Sequence, residues 1–289
     1  MTAKKRAMTP ILLNNAKLLK IVLLSVVLLT ATMTHAQKTT WELGAGMGNI
    51  NTPLYPGTDE RKNYFLPYPY LKLETEYFKI DEGIQAFLFQ TKDIKLDLTL
   101  DLGLPVSSKD SQLRTGMPEL NTVIQLGPSL EITLHGSKQA ASEFRVEFPL
   151  RTAIASDIKH TENIGWVFEP RVTYDKNRLD NNSWSGSITA GLRYATRDYH
   201  AYYYDVAPQY ATAQRPVFYS DKGFNAWLID SSATYRTKNM ITWFFARYMN
   251  LEDSEYEFSP LVNDRNYLMI GAGITWIIAG NKYPEKDTH

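Results

Sequence analysis

Three histidines, His135, His160 and His200, have the widest scope for acid–base or metal chemistry once His35 and the terminal His289 are set aside. None stands in a nucleophile or metal motif: the chain has no G-x-S-x-G, no H-E-x-x-H and no paired-histidine spacing. His200, beside Asp198 and just ahead of Tyr202-Tyr203-Tyr204, is the one catalytic candidate, and a solvated loop histidine is its plainer reading. Gly44-x-Gly46-x-Gly48 has the look of a phosphate cradle, but such a cradle needs a following helix and here Asn51-Thr52-Pro53 follows. No catalytic, cofactor or metal site is therefore expected, and the chain is read as a non-enzyme.

The charged residues carry more. Lys72, Lys95, Arg145, Arg151, Arg171 and Arg193, against Glu74, Asp97, Asp101, Glu131, Glu147 and Glu169, sit at alternate positions inside apolar segments. Facing a common interior, they either neutralise one another in a salt-bridge lattice or line a charge-selective pore. The lattice is the preferred expectation, since charges that can pair inside a narrow lumen do so.

That interior must be built by strands. From Ile94 to Leu104, Ile94, Leu96, Leu98, Leu100, Leu102 and Leu104 alternate with Lys95, Asp97, Thr99, Asp101 and Gly103, so one face meets an apolar medium and the other a polar one. Segments of about ten residues with this pattern suit a transmembrane β-barrel with lipid outside and a polar lumen inside. Residues 1–36, with Lys4, Lys5, Arg6, Lys17 and Lys20 ahead of the apolar run Ile21 to Leu29 and a stretch ending Thr34-His35-Ala36, read as a secretory signal peptide, with Met8 an alternative initiator. Residues 37–280 are assigned to the barrel and 281–289 to a polar tail. No later apolar run is long enough for a spanning helix. Without the signal, 26 basic residues face 31 acidic ones, a net of −5, and no basic stripe offers itself to nucleic acid. There is no cysteine, so the backbone ladder must supply stability.

Twelve strands follow from the alternation, with ten the alternative count: 41–48, 65–74, 77–81, 84–90, 94–104, 123–134, 143–154, 164–175, 184–196, 224–236, 241–250 and 267–279. The even number places the long segments 49–63, 105–120, 155–163, 197–223 and 251–266 outside and the short turns in the periplasm. Gly44, Gly46 and Gly48 would leave lumen space. Pro67 and Pro69 each remove a ladder donor, so a bulge or irregular end is expected in the second strand. Trp41, Tyr174, Trp184, Tyr194 and Trp276 near strand ends would form interfacial girdles. A soluble β-sandwich also alternates, but long strands and terminal aromatics count against it.

Several segments together resemble the MipA/OmpV family of Gram-negative outer-membrane proteins. Gly44-Ala45-Gly46 followed by Pro53-Leu54-Tyr55-Pro56-Gly57-Thr58-Asp59 is similar to its opening strand and first loop, and Tyr77 to Gly83 to its aromatic hairpin. Tyr202-Tyr203-Tyr204-Asp205-Val206 resembles its Tyr-Tyr-Gly-Val element, with Asp205 in place of the glycine, and Ser259-Pro260-Leu261-Val262 matches its Ser-Pro-Leu-Val element. The chain departs again in running past the last strand, so Trp276 or a less typical signal would serve assembly. The resemblance implies an outer-membrane lipid setting and a scaffold that brings a murein-hydrolysing lytic transglycosylase together with a murein synthase, working from the periplasmic turns 135–141, 176–183 and the 281–289 tail. A narrow channel for small solutes and, behind it, an outer-loop hydrolase are the other readings.

Overall fold

The computed structural model describes residues 39–75, 78–80, 84–137, 140–157, 160–176 and 183–281. The expected signal peptide, residues 77 and 81–83 of the expected aromatic hairpin, and all of the tail but Asn281 lie outside the described residues.

Alternation becomes two-sidedness. On β5 (Ile94–Gly103), Lys95 and Asp97 are buried while Ile94 and Leu102 face out. The same division runs through β6 (Thr122–Gly136), β7 (Ser142–Ser156) and β10 (Trp184–Ala195), whose outward Leu126, Leu130, Phe148, Leu150, Ile188 and Leu192 are exposed. β8 (Thr161–Phe168) and β9 (Arg171–Lys176) both lie between β7 and β10. They are one stave interrupted at Glu169-Pro170, where the ladder continues through Glu169 N–H to the Pro149 carbonyl and Leu192 N–H to that of Pro170. β1 (Thr40–Pro53), β2 (Arg61–Glu74), β3 (Phe78–Ile80) and β4 (Ile84–Gln90) precede β5, and β11 (Gly223–Arg236), β12 (Met240–Asn250) and β13 (Asn266–Gly280) complete the series. All neighbours are antiparallel, and β13 pairs back onto β1 from Glu42↔Gly280 to Asn51↔Ile270, closing twelve staves into a barrel.

Short turns and both ends of the described chain gather at one rim, and long connections at the other. The girdle positions Tyr174, Trp184, Tyr194 and Trp276 are all exposed, and Trp41 is half-buried. The expected bulge in β2 is not there: its register with β1 is unbroken from Thr40↔Glu74 to Pro53↔Arg61, and bulges fall elsewhere, as at Leu43/Gly44 and Thr133/His135. The far edge of β2 meets β3 only at Leu73↔Ile80 and Glu74↔Lys79. Above that point it has no strand partner among the described residues, so donors missing from that edge cost no ladder bond.

The lumen space expected beside Gly46 and Gly48 is filled. A Cβ on Gly46 would lie 2.4 Å from the Tyr68 ring, and one on Gly48 or Gly273 would lie 2.6 or 2.3 Å from Trp243. Gly271 accommodates Phe245 in the same way, at 2.3 Å. Trp243 Nε1 donates to Tyr68 Oη at 2.6 Å, and Tyr68 Oη meets Thr275 Oγ1 at 2.7 Å. Facing strands thus mesh large rings into glycine hollows, as dense packing demands.

Candidate functional site

Two arrangements occupy the barrel interior and its outer mouth. The first is the set of inward charges. Lys95 Nζ lies 2.7 Å from Glu131 Oε2 and 3.1 Å from Asp97 Oδ2. Arg145 bridges Glu147 at 2.9 Å and also pairs with Asp175. Glu147 further accepts from Arg171 Nε at 2.8 Å and from Thr173 Oγ1 at 3.1 Å. Arg171 reaches Glu169 at 3.4 Å, and Arg193 Nε donates to Glu169 at 2.6 Å. Arg151 lies 3.8 Å from Asp101. Arg145 also reaches Glu131 at 3.7 Å, so the residues from Lys95 to Arg193 meet in one series of opposite charges along the wall, with the Arg151–Asp101 pair beside it. Lys72 lies on the other side of the barrel, half-buried and in register with Glu42.

Two further pairs escaped the sequence reading. Arg247 forms a fork on Asp230 at 2.7 and 2.9 Å, and Arg236 pairs with Glu42 at 2.5 Å. The period-two alternation of β1, β11 and β12 places Glu42, Asp230, Arg236 and Arg247 inward and was the signal that could have found them.

The second arrangement closes the mouth. Residues 197–223, expected as a long outer loop, contain helix α1 (Arg197–Tyr204) and a 3-10 turn, Pro208–Tyr210. Asp198 in the first turn suits the helix dipole, and Tyr199, His200 and Tyr204 are buried. The three scattered motifs interlock on this helix. Tyr204 Oη donates to the Pro56 carbonyl at 2.9 Å, Ser259 Oγ to the Tyr204 carbonyl at 2.7 Å, and Tyr55 Oη to the Leu261 carbonyl at 2.8 Å. Gly57, at φ +110, offers its carbonyl to Asn263 N–H at 2.8 Å, and Asn263 also exchanges side-chain bonds with Asp59. A side chain at Gly57 would be strained by its backbone angle and would press on Val262.

Tyr202 Oη accepts from Asn121 N–H at 2.7 Å, and the Tyr203 carbonyl accepts from Arg114 at 2.8 Å. Val206 pairs with Phe218, while Pro260 is half-buried and Leu261 fully buried. Asp205, standing where the family pattern has glycine, ends the helix and accepts both Ser220 N–H and Oγ–H, at 2.7 and 2.6 Å. The Tyr204 and Tyr256 rings stack 3.6 Å apart. Burial pushes the Tyr203 and Tyr204 hydroxyls well above the ordinary range, so they remain neutral hydrogen-bonding groups.

The histidines do not converge. His135 and His160 are exposed at opposite rims. His200 is fully buried, its Nδ1 is 2.7 Å from the Asp221 carbonyl, and its ring lies edge-on to Tyr256. Burial lowers its pKa, favouring neutral imidazole. Its Nε2 has no hydrogen-bond partner among the described residues. Among those residues no three His, Asp or Glu form a group able to hold a metal.

A closed antiparallel barrel of twelve staves, apolar outside and charged within, defines an outer-membrane β-barrel protein. Over residues 43–278 the chain matches the family described as MltA-interacting protein MipA, and it belongs to that family. Its fold is also similar to the translocator domain of autotransporter NalP from Neisseria meningitidis, at 11% identity and TM-score 0.37, covering 91% of this chain and 96% of that one. The Ralstonia pickettii toluene transporter TbuX is similar at 10% identity and TM-score 0.36, covering 86% and 90%. No curated protein matches the chain.

Proposed function

We propose that this protein is a non-enzymatic scaffold that holds a murein-cleaving lytic transglycosylase, and with it a murein synthase, at the inner surface of the outer membrane. The observation that carries the reading is the filled interior. The inward charges from Lys95 to Asp97 and from Arg145 to Arg193 form the ion pairs described above, the glycine hollows hold rings, and the mouth is fastened by its own loops. An interior used for packing leaves the rims as the surfaces for partners, and the family description names an interaction with MltA. On the periplasmic rim, Lys92, Asp93, His135 and Thr237-Lys238-Asn239 are exposed. Residues 138–139, 177–182 and 282–289 of the expected partner surface lie outside the described residues.

Cross-linking in intact cells, followed by purification from the outer-membrane fraction, should recover a lytic transglycosylase. Recovery without any murein enzyme, together with stepwise conductance of the purified barrel in a planar bilayer, would replace the scaffold with a channel.

A further inference from the structure

We infer that the lipid-facing hollow around Pro170 and Ala190 is a seat that retains one acyl chain of a membrane lipid. The inference rests on the lipid setting of the barrel wall and not on the scaffold reading. Strand pairing lays the hollow out in two rows. In the first, Val146 pairs with Val172, Val172 with Ala190 and Ala190 with Ile229, across β7, β9, β10 and β11. In the second, nearer the outer mouth, Leu192 pairs with Trp227 and donates its N–H to the Pro170 carbonyl. Phe148 lies beside Pro170 in the same row, one step from the pair Glu147↔Arg171. Alternation turns both rows to the outside of the wall.

Large side chains stand there around small ones. Phe148, Val172, Leu192, Trp227 and Ile229 are all exposed, while Pro170 and Ala190 are the short members of the two rows. The space between them is a hollow of about 470 Å³. That is roughly three times the 150 Å³ apolar cavity known to hold benzene, enough for a length of hydrocarbon chain.

The surroundings name the occupant. Tyr174 and Tyr194 bracket the hollow along the strands, so it lies between the two interfacial girdles, where acyl chains are the solvent. Its walls are continuous with the exposed apolar belt that meets lipid all around the barrel. Arg171 is the one charged residue of the lining, and its guanidinium is bound to Glu147 and Glu169 inside the barrel. Nothing in the hollow therefore recognises a headgroup or a polar solute. A chain lying on the rest of the belt touches side-chain tips, whereas in the hollow it is touched from beneath and from its flanks. Dispersion grows with each added contact, so a chain stays here longer than elsewhere on the belt.

The test places the full chain in vesicles of phosphatidylethanolamine and phosphatidylglycerol with a trace of phosphatidylcholine that carries a diazirine midway along one acyl chain. After irradiation and digestion, peptides from the hollow should carry at least three-fold more label than those holding Leu130 and Leu268, exposed positions in register with Phe148 and Tyr248. Equal labelling overturns the seat. Ala190→Trp, which fills the hollow from the lipid side, should bring its labelling down to that of the belt, and the milder Ala190→Leu should bring it partway, with folding of each read from heat-dependent gel mobility. Undiminished labelling in a folded variant overturns the placement at Ala190. The chain has no cysteine, so Ala190→Cys carries a single thiol. Protein that stays unlinked under oxidation supports a lipid occupant, and disulfide-linked pairs would put a second copy of the chain over the hollow and overturn it.

Discussion

The two sides of the lumen are filled by opposite means. From β5 to β10 the interior is a series of paired charges centred on Glu147 and Glu169, whereas across β12, β13, β1 and β2 rings set into glycine hollows fill it between the two pairs Arg236–Glu42 and Arg247–Asp230. The charged side depends on completeness, because one missing partner leaves its neighbour ionised and buried. The aromatic side depends on volume, and errors there are graded by how much space is lost or left.

The largest effect should come from Glu169→Leu, which strips Arg193 and Arg171 of a shared partner. Unfolding in urea should show a loss of about 3–5 kcal/mol, and the added change Arg193→Leu should restore part of it. A loss no greater than that of a surface substitution would break the contrast between the two sides. Gly271→Val should cost about 1–3 kcal/mol by forcing Phe245 aside, with partial rescue by Phe245→Leu, a rescue peculiar to volume. Tyr68→Phe keeps the ring but removes the partner of Trp243 Nε1 and Thr275, and should cost about 0.5–1.5 kcal/mol.

The smallest effect belongs to the cap, outside both sides. His200 holds its proton less readily folded than unfolded, so below about pH 6.5 the unfolded chain binds the extra proton and stability falls. His200→Phe should flatten that acid limb in a pH series of unfolding midpoints, beside a pH-independent loss of about 0.5–1.5 kcal/mol for the missing bond to the Asp221 carbonyl.

The staves were legible because alternation and loop parity are properties of one strand at a time. The number twelve, the orientation of the turns and the inward set from Lys95 to Arg193 all follow from it. What sequence did not reveal depends on register between strands. Gly48 and Gly273 read as empty space until Trp243 is brought alongside, and the prolines of β2 read as disruptive until its far edge proves unpaired. Helix α1 was missed because its Tyr-rich sequence gains its order from the Pro56, Asn121 and Ser259 loops rather than from its own propensity.

The pairing of β1 with β13 joins segments at opposite ends of the chain, and Trp41 N–H donates to Asn281 Oδ1 across 240 positions of sequence. Every other neighbour in the barrel is met within a much shorter stretch. Closing this seam carries the largest loop entropy in the molecule, so it is the step best left until the other staves are in place. Until then β1 and β13 present two open edges, and whatever escorts the chain to the membrane must keep both from pairing with the wrong strand.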